Sequence, residues 1–89
     1  MATVWIPSLL RDLCGGDDRV TVAGETVAEA FERLDEACPG IRGRVLDGGR
    51  VKPGITVFVD GEEMESLRQS LRPESEIQIL PAMGGGQAL

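Results

Sequence analysis

One amphipathic helix limits what this 89-residue chain can fold into. Apolar side chains recur at helical spacing and form a single stripe, made of Val27, Ala30, Phe31, Leu34 and Cys38. Thr26 and Glu29 have the spacing of a capping box, in which two side chains accept hydrogen bonds from free amides at a helix start. The pair Pro39-Gly40 is expected to end the helix. One stripe of this kind can cover only one face of the structure that packs against it.

The rest of the chain alternates apolar and polar residues in short segments that predict strands. These segments are residues 3–7, 19–24, 44–51 (broken by Gly48-Gly49), 54–64 (with a tight Asp60-Gly61 turn) and 76–81. Residues 66–75 are expected to form a loop with one helical turn. The order predicts an α+β fold of the β-grasp type, in which a small mixed sheet is covered on one face by a single helix. We assign residues 1–81 to this domain and 82–89 to a flexible glycine-rich tail.

The uncovered face of this sheet is expected to carry large apolar side chains. Trp5, Phe58 and Leu80 take the outward parity of their strands, opposite to core residues such as Val57 and Ile77. In a β-grasp the first and last strands are neighbours, so the three side chains could form one patch. Exposed apolar patches usually bind a partner. The alternative is that loops cover them, and a register slip of one residue would also dissolve the patch.

Charge excludes some partners and suggests another. The formal net charge is −6, which argues against a nucleic-acid ligand because phosphates are neutralised by clustered lysine and arginine. Arg42, Arg44, Arg50 and Lys52 nevertheless lie close together in the sequence, with Asp47 opposing them. They form either a solvated loop or a docking surface for an acidic partner. No segment has the length and apolar character of a membrane span, so we expect no membrane partner.

The two cysteines, Cys14 and Cys38, form no CxxC motif, and the chain has no histidine, so we expect no metal site. We expect both cysteines to be reduced thiols in a cytoplasmic protein, because the N-terminus lacks the features of a signal peptide. A thiol enzyme is disfavoured, since no base is placed to activate a thiolate.

The sequence closes with Gly84, Gly85 and Gly86, followed by Gln87, Ala88 and Leu89. An extended chain from Pro81 to Gly86 spans roughly 20 Å at about 3.3 Å per residue. Glycines can pass through a narrow groove in another protein because they have no Cβ. The strip therefore has the properties of an arm that carries a carboxyl group into a partner's active site.

Four segments of the chain resemble the ubiquitin-like sulfur carriers of the ThiS/MoaD/CysO family, and most closely its CysO-type branch. They are "IPSLLRDLCGG", "GETVAEAFERLDEACPGI", "GITVFVDGEEM" and "EIQILPAMGGG", which together cover nearly the whole length. One departure is the loop before the last strand, where the family often has a DGD turn and this chain has Pro73-Glu74-Ser75. That loop is expected to differ, because the glycine's special backbone conformation is lost.

The resemblance implies a carrier rather than an enzyme, with no cofactor of its own. A ubiquitin-activating-type enzyme would adenylate the carboxylate of Gly86 with ATP and magnesium. A sulfur donor would then displace AMP and leave a glycyl thiocarboxylate, which passes its sulfur to an accepting synthase. Phe58 falls where the family contacts its partners. The resemblance also implies that Gln87, Ala88 and Leu89 are a removable cap, trimmed by a zinc-dependent JAMM-type peptidase.

Two alternatives remain open at this level. One is a MoaD-type small subunit paired with a molybdopterin-forming large subunit. The other is a β-grasp interaction module or protein modifier whose tail never carries sulfur. The sulfur acceptor could be an intermediate in cysteine, cofactor or natural-product biosynthesis, and the sequence does not choose among them.

Overall fold

The fold was analysed in a computed structural model that describes residues 1–81. In chain order the elements are β1 (Ala2–Trp5), a 3₁₀ helix (Ser8–Cys14), β2 (Arg19–Val22), α1 (Val27–Ala37), α2 (Ile41–Val45), β3 (Leu46–Asp47), β4 (Arg50–Val51), β5 (Ile55–Val59), β6 (Glu62–Glu63) and β7 (Glu76–Pro81). None of the helices in this part of the chain is long and apolar enough to cross a membrane.

A five-stranded mixed sheet has the order β2-β1-β7-β5-β6. β1 and β7 are parallel, while the pairs β1–β2, β5–β7 and β5–β6 are antiparallel. β7, at the C-terminal end of the described chain, is therefore the central strand and is hydrogen-bonded on both edges. The predicted β-grasp fold is confirmed, including the neighbouring first and last strands.

α1 begins and ends where the sequence predicts. The Thr26 hydroxyl accepts a hydrogen bond from the Glu29 amide at 3.2 Å. The Glu29 carboxylate accepts one from the Glu25 amide at 2.9 Å, one residue earlier than a regular capping box would place it. At the other end Cys38 caps the helix, and its amide donates to the Leu34 carbonyl at 2.7 Å. The capping residues thus supply partners for backbone groups that helix termini leave free.

The core lies between α1 and the inner face of the sheet. The α1 stripe is fully buried, as are the inward residues of β5 and β7: Val27, Ala30, Phe31, Leu34, Val57, Val59, Ile77 and Ile79. The alternation predicted for these two strands is confirmed, with Ile55 half-buried at the start of β5. Burial of these side chains is the main favourable contribution to folding.

The prediction of a single covering helix was incomplete. A short second helix, α2, follows Gly40 and buries Ile41 and Val45 in the same core. The Asp35 carboxylate holds the start of α2, since one of its oxygens accepts hydrogen bonds from the amides of Gly40 at 3.1 Å and Arg42 at 3.0 Å. Five residues are too few to show a helical period in the sequence.

Two other segments also differ from the prediction. Residues 44–51 do not form one broken strand: the segment starts within α2 and continues as the hairpin β3–β4, which is a separate two-stranded sheet. Residues 66–75 form turns rather than a helical turn. Their carbonyls accept hydrogen bonds from α1, with Gln69 bonded to the Val27 amide at 3.0 Å and Leu67 to the Ala28 amide at 2.9 Å. This loop therefore satisfies the first free amides of α1.

The expectation of two reduced thiols was wrong, because Cys14 and Cys38 form a disulfide. The 3₁₀ helix brings Cys14 to the end of α1, where the two Cα atoms lie 4.7 Å apart. Both side chains are buried. The sequence could not show this pairing, since it depends on how the 3₁₀ helix packs against α1.

Breaking the disulfide should lower the free energy of unfolding by about 3 kcal/mol, because closing a loop with a sequence separation of 24 removes entropy from the unfolded chain. Urea unfolding of the native protein with and without reductant measures this difference. A double variant, Cys14→Ser with Cys38→Ser, should match the reduced protein and show no effect of reductant. Two thiols that alkylate in urea without any reductant would contradict the prediction.

Candidate functional site

The outer face of the sheet carries one continuous cross-strand row. Ladder pairing sets Trp5 of β1 opposite Gln78 of β7, and Gln78 opposite Phe58 of β5. The same row continues to Arg19 on β2 and Glu63 on β6 at the two edges. Residues opposed in a ladder point to the same side of the sheet, so these five side chains share the face away from α1.

Polar neighbours hold Trp5 in place on this face. Its indole Nε1 donates a hydrogen bond to Glu76 Oε1 at 3.0 Å. The Arg19 guanidinium carbon lies 5.4 Å from the centroid of the ring, within cation–π range. Trp5 is half-buried as a result, and its ring is held against the sheet.

The three apolar residues expected on this face do lie there, arranged around one polar residue. Gln78 separates Trp5 from Phe58, which is half-buried. Leu80 stands two positions after Gln78 on β7, opposite Thr56, and is 48% exposed. We call Trp5, Phe58 and Leu80 the outer patch; it surrounds Gln78 rather than forming an unbroken surface.

An open groove of about 250 Å³ lies at one end of the outer patch, where β1 and β7 finish. Its walls include Trp5, Pro7, Arg11, Leu80 and Pro81. The Arg11 Nε donates to the Ile6 carbonyl at 2.9 Å, which fixes this side chain beside the end of β1. Because Pro81 is both a groove wall and the end of β7, the groove lies at the base of the tail.

Sequence reasoning missed the contribution of the 3₁₀ helix to this region. Pro7 and Arg11 line the groove, and Leu9 in the same segment is 56% exposed. The leucine pair Leu9-Leu10, followed by Leu13, is a local signal for a turn of helix with one outward apolar residue. The segment is too short for that signal to indicate which leucine points outward.

Arg42, Arg44 and Arg50 are exposed, the first two on α2 and the third on β4. Lys52 follows β4 and is half-buried. The ion pairs within residues 1–81 are Arg33–Glu36 and Arg72–Asp60, so neither involves these four residues. The four residues belong to α2 and to the β3–β4 hairpin with the residue after it, which lie outside the five-stranded sheet.

The tail residues Gly84, Gly85, Gly86, Gln87, Ala88 and Leu89 lie outside the described residues, so the roles expected of them stay predictions. The described chain fixes where the tail starts: Pro81 is paired with Ile55 in the β5–β7 ladder. A proline at this position has no N–H to donate to that ladder.

The far end of the sheet is closed by a charged turn. Asp60 adopts a left-handed backbone conformation (φ 53°), followed by Gly61 at 87°, as the Asp-Gly hairpin signal predicts. The buried Ser75 hydroxyl donates to Asp60 Oδ2 at 2.9 Å and accepts from the Arg72 amide at 2.8 Å. Within residues 1–81 Asp60 is the only non-glycine residue with positive φ, so Pro73-Glu74-Ser75 turns without a left-handed residue. A serine hydrogen bond thus joins this loop to the β5–β6 turn.

The pKa of Asp60 is lowered from its ordinary value of 3.8, chiefly by the hydrogen bond from the Glu76 amide and further by Ser75 and Arg72. A lowered pKa in the folded protein stabilises the fold above about pH 3.8, and this stabilisation is lost as the pH falls through the folded-state value. Asp60→Asn keeps a residue that tolerates positive φ but removes the charge.

We expect Asp60→Asn to cost about 1 kcal/mol of unfolding free energy at neutral pH and nothing at low pH, where the wild-type carboxylate is protonated. Urea unfolding at a series of pH values measures the difference, with Glu74→Gln as an exposed control nearby. If the difference in unfolding free energy between the wild type and Asp60→Asn is as large at low pH as at neutral pH, the charge of Asp60 is not the cause of that difference.

The sheet order, the long helix on one face and the central last strand leading into a tail define a ubiquitin-like β-grasp domain. Residues 4–86 match the ThiS family, so the chain belongs to that family. The resemblance noted in the sequence is therefore confirmed.

Three relatives place the chain more closely. It is 29% identical over 90 residues to the sulfur carrier protein CysO of Mycobacterium tuberculosis, covering 94% of this chain and 97% of that protein. The crystal structure of the Amycolatopsis orientalis BexX/CysO complex contains a chain with a TM-score of 0.91 and 30% identity, covering 97% of this chain and all of the other. Small archaeal modifier protein 3 of Haloferax volcanii is 27% identical over 64 residues, covering 68% of this chain and 70% of that protein.

Proposed function

We propose that this chain is a sulfur carrier whose Gly86, exposed by removal of residues 87–89, is adenylated and then converted to a thiocarboxylate. The observation that carries the proposal is the family match, which ends at Gly86 and leaves Gln87, Ala88 and Leu89 outside it. The similarity to CysO over almost the whole of both chains supports sulfur as the cargo.

The fold supports this function by fixing the base of the arm. β7 pairs with β1 over Glu76–Gln78 and with β5 up to Pro81, and the arm from there to Gly86 reaches at most roughly 20 Å. A partner that binds the folded domain therefore receives the glycine carboxylate within a defined radius. Proximity of this kind replaces a bimolecular encounter by an effectively intramolecular step.

The chemistry is divided between the carrier and its partners. The Gly86 carboxylate attacks the α-phosphate of ATP in the activating enzyme, forming an acyl-adenylate and releasing pyrophosphate. Hydrosulfide supplied by the sulfur donor then attacks the activated carbonyl, the bond to the phosphate oxygen breaks, AMP leaves, and a thiocarboxylate remains. ATP and magnesium belong to the activating enzyme, so the carrier contributes its carboxyl group and its binding surface and acts as a cosubstrate rather than a catalyst.

The partners follow from these steps: an activating enzyme, a sulfur donor, a sulfur-accepting synthase and a peptidase that removes the cap. The complex of the Amycolatopsis orientalis CysO with BexX supports the view that such a carrier works by binding other proteins. The outer patch is the surface we assign to the activating enzyme, because its apolar side chains point away from the core and lie beside the base of the tail.

We expect the full-length chain to be inert toward an adenylating enzyme from its own genome, and a version ending at Gly86 to form an acyl-adenylate. With a sulfur donor the shortened form should gain the mass difference between a sulfur and an oxygen atom, which intact-mass spectrometry measures. The reason is positional, because catalysis tolerates misplacement of the reacting carboxylate by only about 1 Å.

A shortened form that also carries Gly85→Val is the matched control. Its β-branched side chain should block entry to the groove of the activating enzyme while leaving the domain folded. Sulfur found on Leu89 of the full-length chain, or no activation of the shortened form by any such enzyme of the host, would contradict the proposal.

Phe58→Asp should weaken binding of the activating enzyme by about a hundredfold if Phe58 is a buried anchor of the interface. The fold should survive, because this side chain lies on the face away from α1. Isothermal titration measures the affinity, and Thr21→Asp, on the outer face of the edge strand β2, is the charge-matched control. Unfolding of the variant would show that Phe58 belongs to the core, and unchanged affinity would remove it from the interface.

A second function, protein modification, is favoured by one observation. The similarity to small archaeal modifier protein 3 is compatible with transfer of an activated Gly86 to an amine instead of to sulfur. The two functions separate in one experiment: the activated shortened form is offered a sulfur donor and a protein lysate together. A thiocarboxylate on the free carrier supports the first function, and carrier linked covalently to other proteins supports the second.

A further inference from the structure

We propose that Arg42, Arg44, Arg50 and Lys52 form an electrostatic docking surface for an acidic protein surface on the activating enzyme, beside the opening that takes the tail. This inference rests on the proposed function and names the chemistry of the partner. We call these four residues the basic surface.

Chain connectivity places the basic surface at the tail end of the domain. The Lys52 amide donates to the Val45 carbonyl at 2.9 Å, which joins the connection between β4 and β5 to the end of α2. The Ile55 amide donates to the Lys52 carbonyl at 3.2 Å, and Ile55 pairs with Pro81. The segment that carries the four positive charges therefore leads directly into the strand that neighbours the base of the tail.

Charge is distributed unevenly between the two ends of the sheet. In a chain of formal net charge −6, four positive residues face only Asp47 in the segment 42–52. The β5–β6 turn and the start of β7, at the other end, carry Asp60, Glu62, Glu63, Glu65, Glu74 and Glu76. Two acidic residues also lie at the tail end: Asp18 lines the groove there, and the Asp35 carboxylate accepts a hydrogen bond from the Arg42 amide. The positive excess therefore belongs to segment 42–52, and an acidic protein surface would be attracted to this segment of the carrier.

The arginines have no evident role in the fold. Arg42, Arg44 and Arg50 are exposed, and none takes part in an ion pair within residues 1–81. The contact that stabilises α2 uses the backbone amide of Arg42, not its guanidinium. Reversing these charges should therefore affect binding much more than stability.

An acidic protein surface fits better than a nucleic acid or a membrane. A long polyanion would extend past the basic surface toward the acidic end of the domain and meet repulsion there. A limited acidic area on a folded protein interacts within about 10 Å at ordinary salt and senses only the nearer charges. Charge pairs of this kind mainly raise the association rate and set the orientation.

The test uses the version ending at Gly86 and the adenylating enzyme from the same genome, followed by ATP–pyrophosphate exchange. Raising the salt from about 0.05 to 0.3 M should raise the KM for the carrier, with little change in kcat. Arg44→Glu with Arg50→Glu should raise this KM about tenfold at low salt and flatten its salt dependence. Arg33→Glu with Arg68→Glu makes the same change in net charge elsewhere on the domain and should leave the KM near the wild-type value.

Thermal unfolding of both double variants verifies that the fold is retained. Equal KM values for the two double variants, or a KM that does not change with salt concentration, would overturn the proposal that the basic surface docks the enzyme. Either result would leave the proposed adenylation of Gly86 intact. Binding of a 20-base-pair DNA duplex or of phosphatidylserine vesicles at about 0.15 M salt, lost only in Arg44→Glu with Arg50→Glu, would reassign the surface to a phosphate ligand and overturn it as well. No exchange with any variant, including the parent, would overturn the proposed function and this inference together.

Discussion

The fold depends on the packing of its helices against one face of the sheet, because these are the only apolar surfaces among the described residues that cover it. α1 spans 11 residues, and with α2 it covers the inner side of five strands, where Val57 and Ile77 are buried. No second layer exists among the described residues to cover the other side, so Phe58 and Leu80 remain accessible there. A small domain of this size buries a limited share of its surface, and here the uncovered part coincides with the surface proposed to bind partners.

Most of the fold prediction rests on two periodicities in the sequence, one typical of strands and one typical of a helix. Period two assigned the inward and outward residues of β5 and β7 correctly, and period 3.6 placed α1 to within a residue. The Asp60-Gly61 signal predicted its hairpin because few dipeptides accept two consecutive positive φ angles. Signals of this kind depend only on neighbouring residues, so they can be interpreted without knowing the fold.

Features that depend on contacts between distant segments were not predictable. The disulfide requires the 3₁₀ helix to meet the end of α1, and the hairpin β3–β4 is held by pairing rather than by composition. Gly24 shows the same limit: a Cβ there would lie 2.8 Å from the Ala30 nitrogen, a close approach that no local pattern reveals. At the candidate site, strand parity placed the outer patch, while the position of Gln78 between Trp5 and Phe58 and that of Arg11 beside the patch followed only from the register and the packing.

The parallel pairing of β1 with β7 has a consequence for how this protein is made. Trp5 and its hydrogen-bond partner Glu76 are 71 positions apart, so β1 is synthesised long before the strand that completes the sheet beside it. Until β7 emerges from the ribosome, β1 and β5 each keep an unpaired edge, and contacts of such long range form slowly. A nascent chain thus has an incomplete sheet for most of its synthesis and is exposed to edge-to-edge aggregation during that time. The glycine-rich segment proposed as the arm directly follows β7, so it leaves the ribosome only after the strand that completes the sheet.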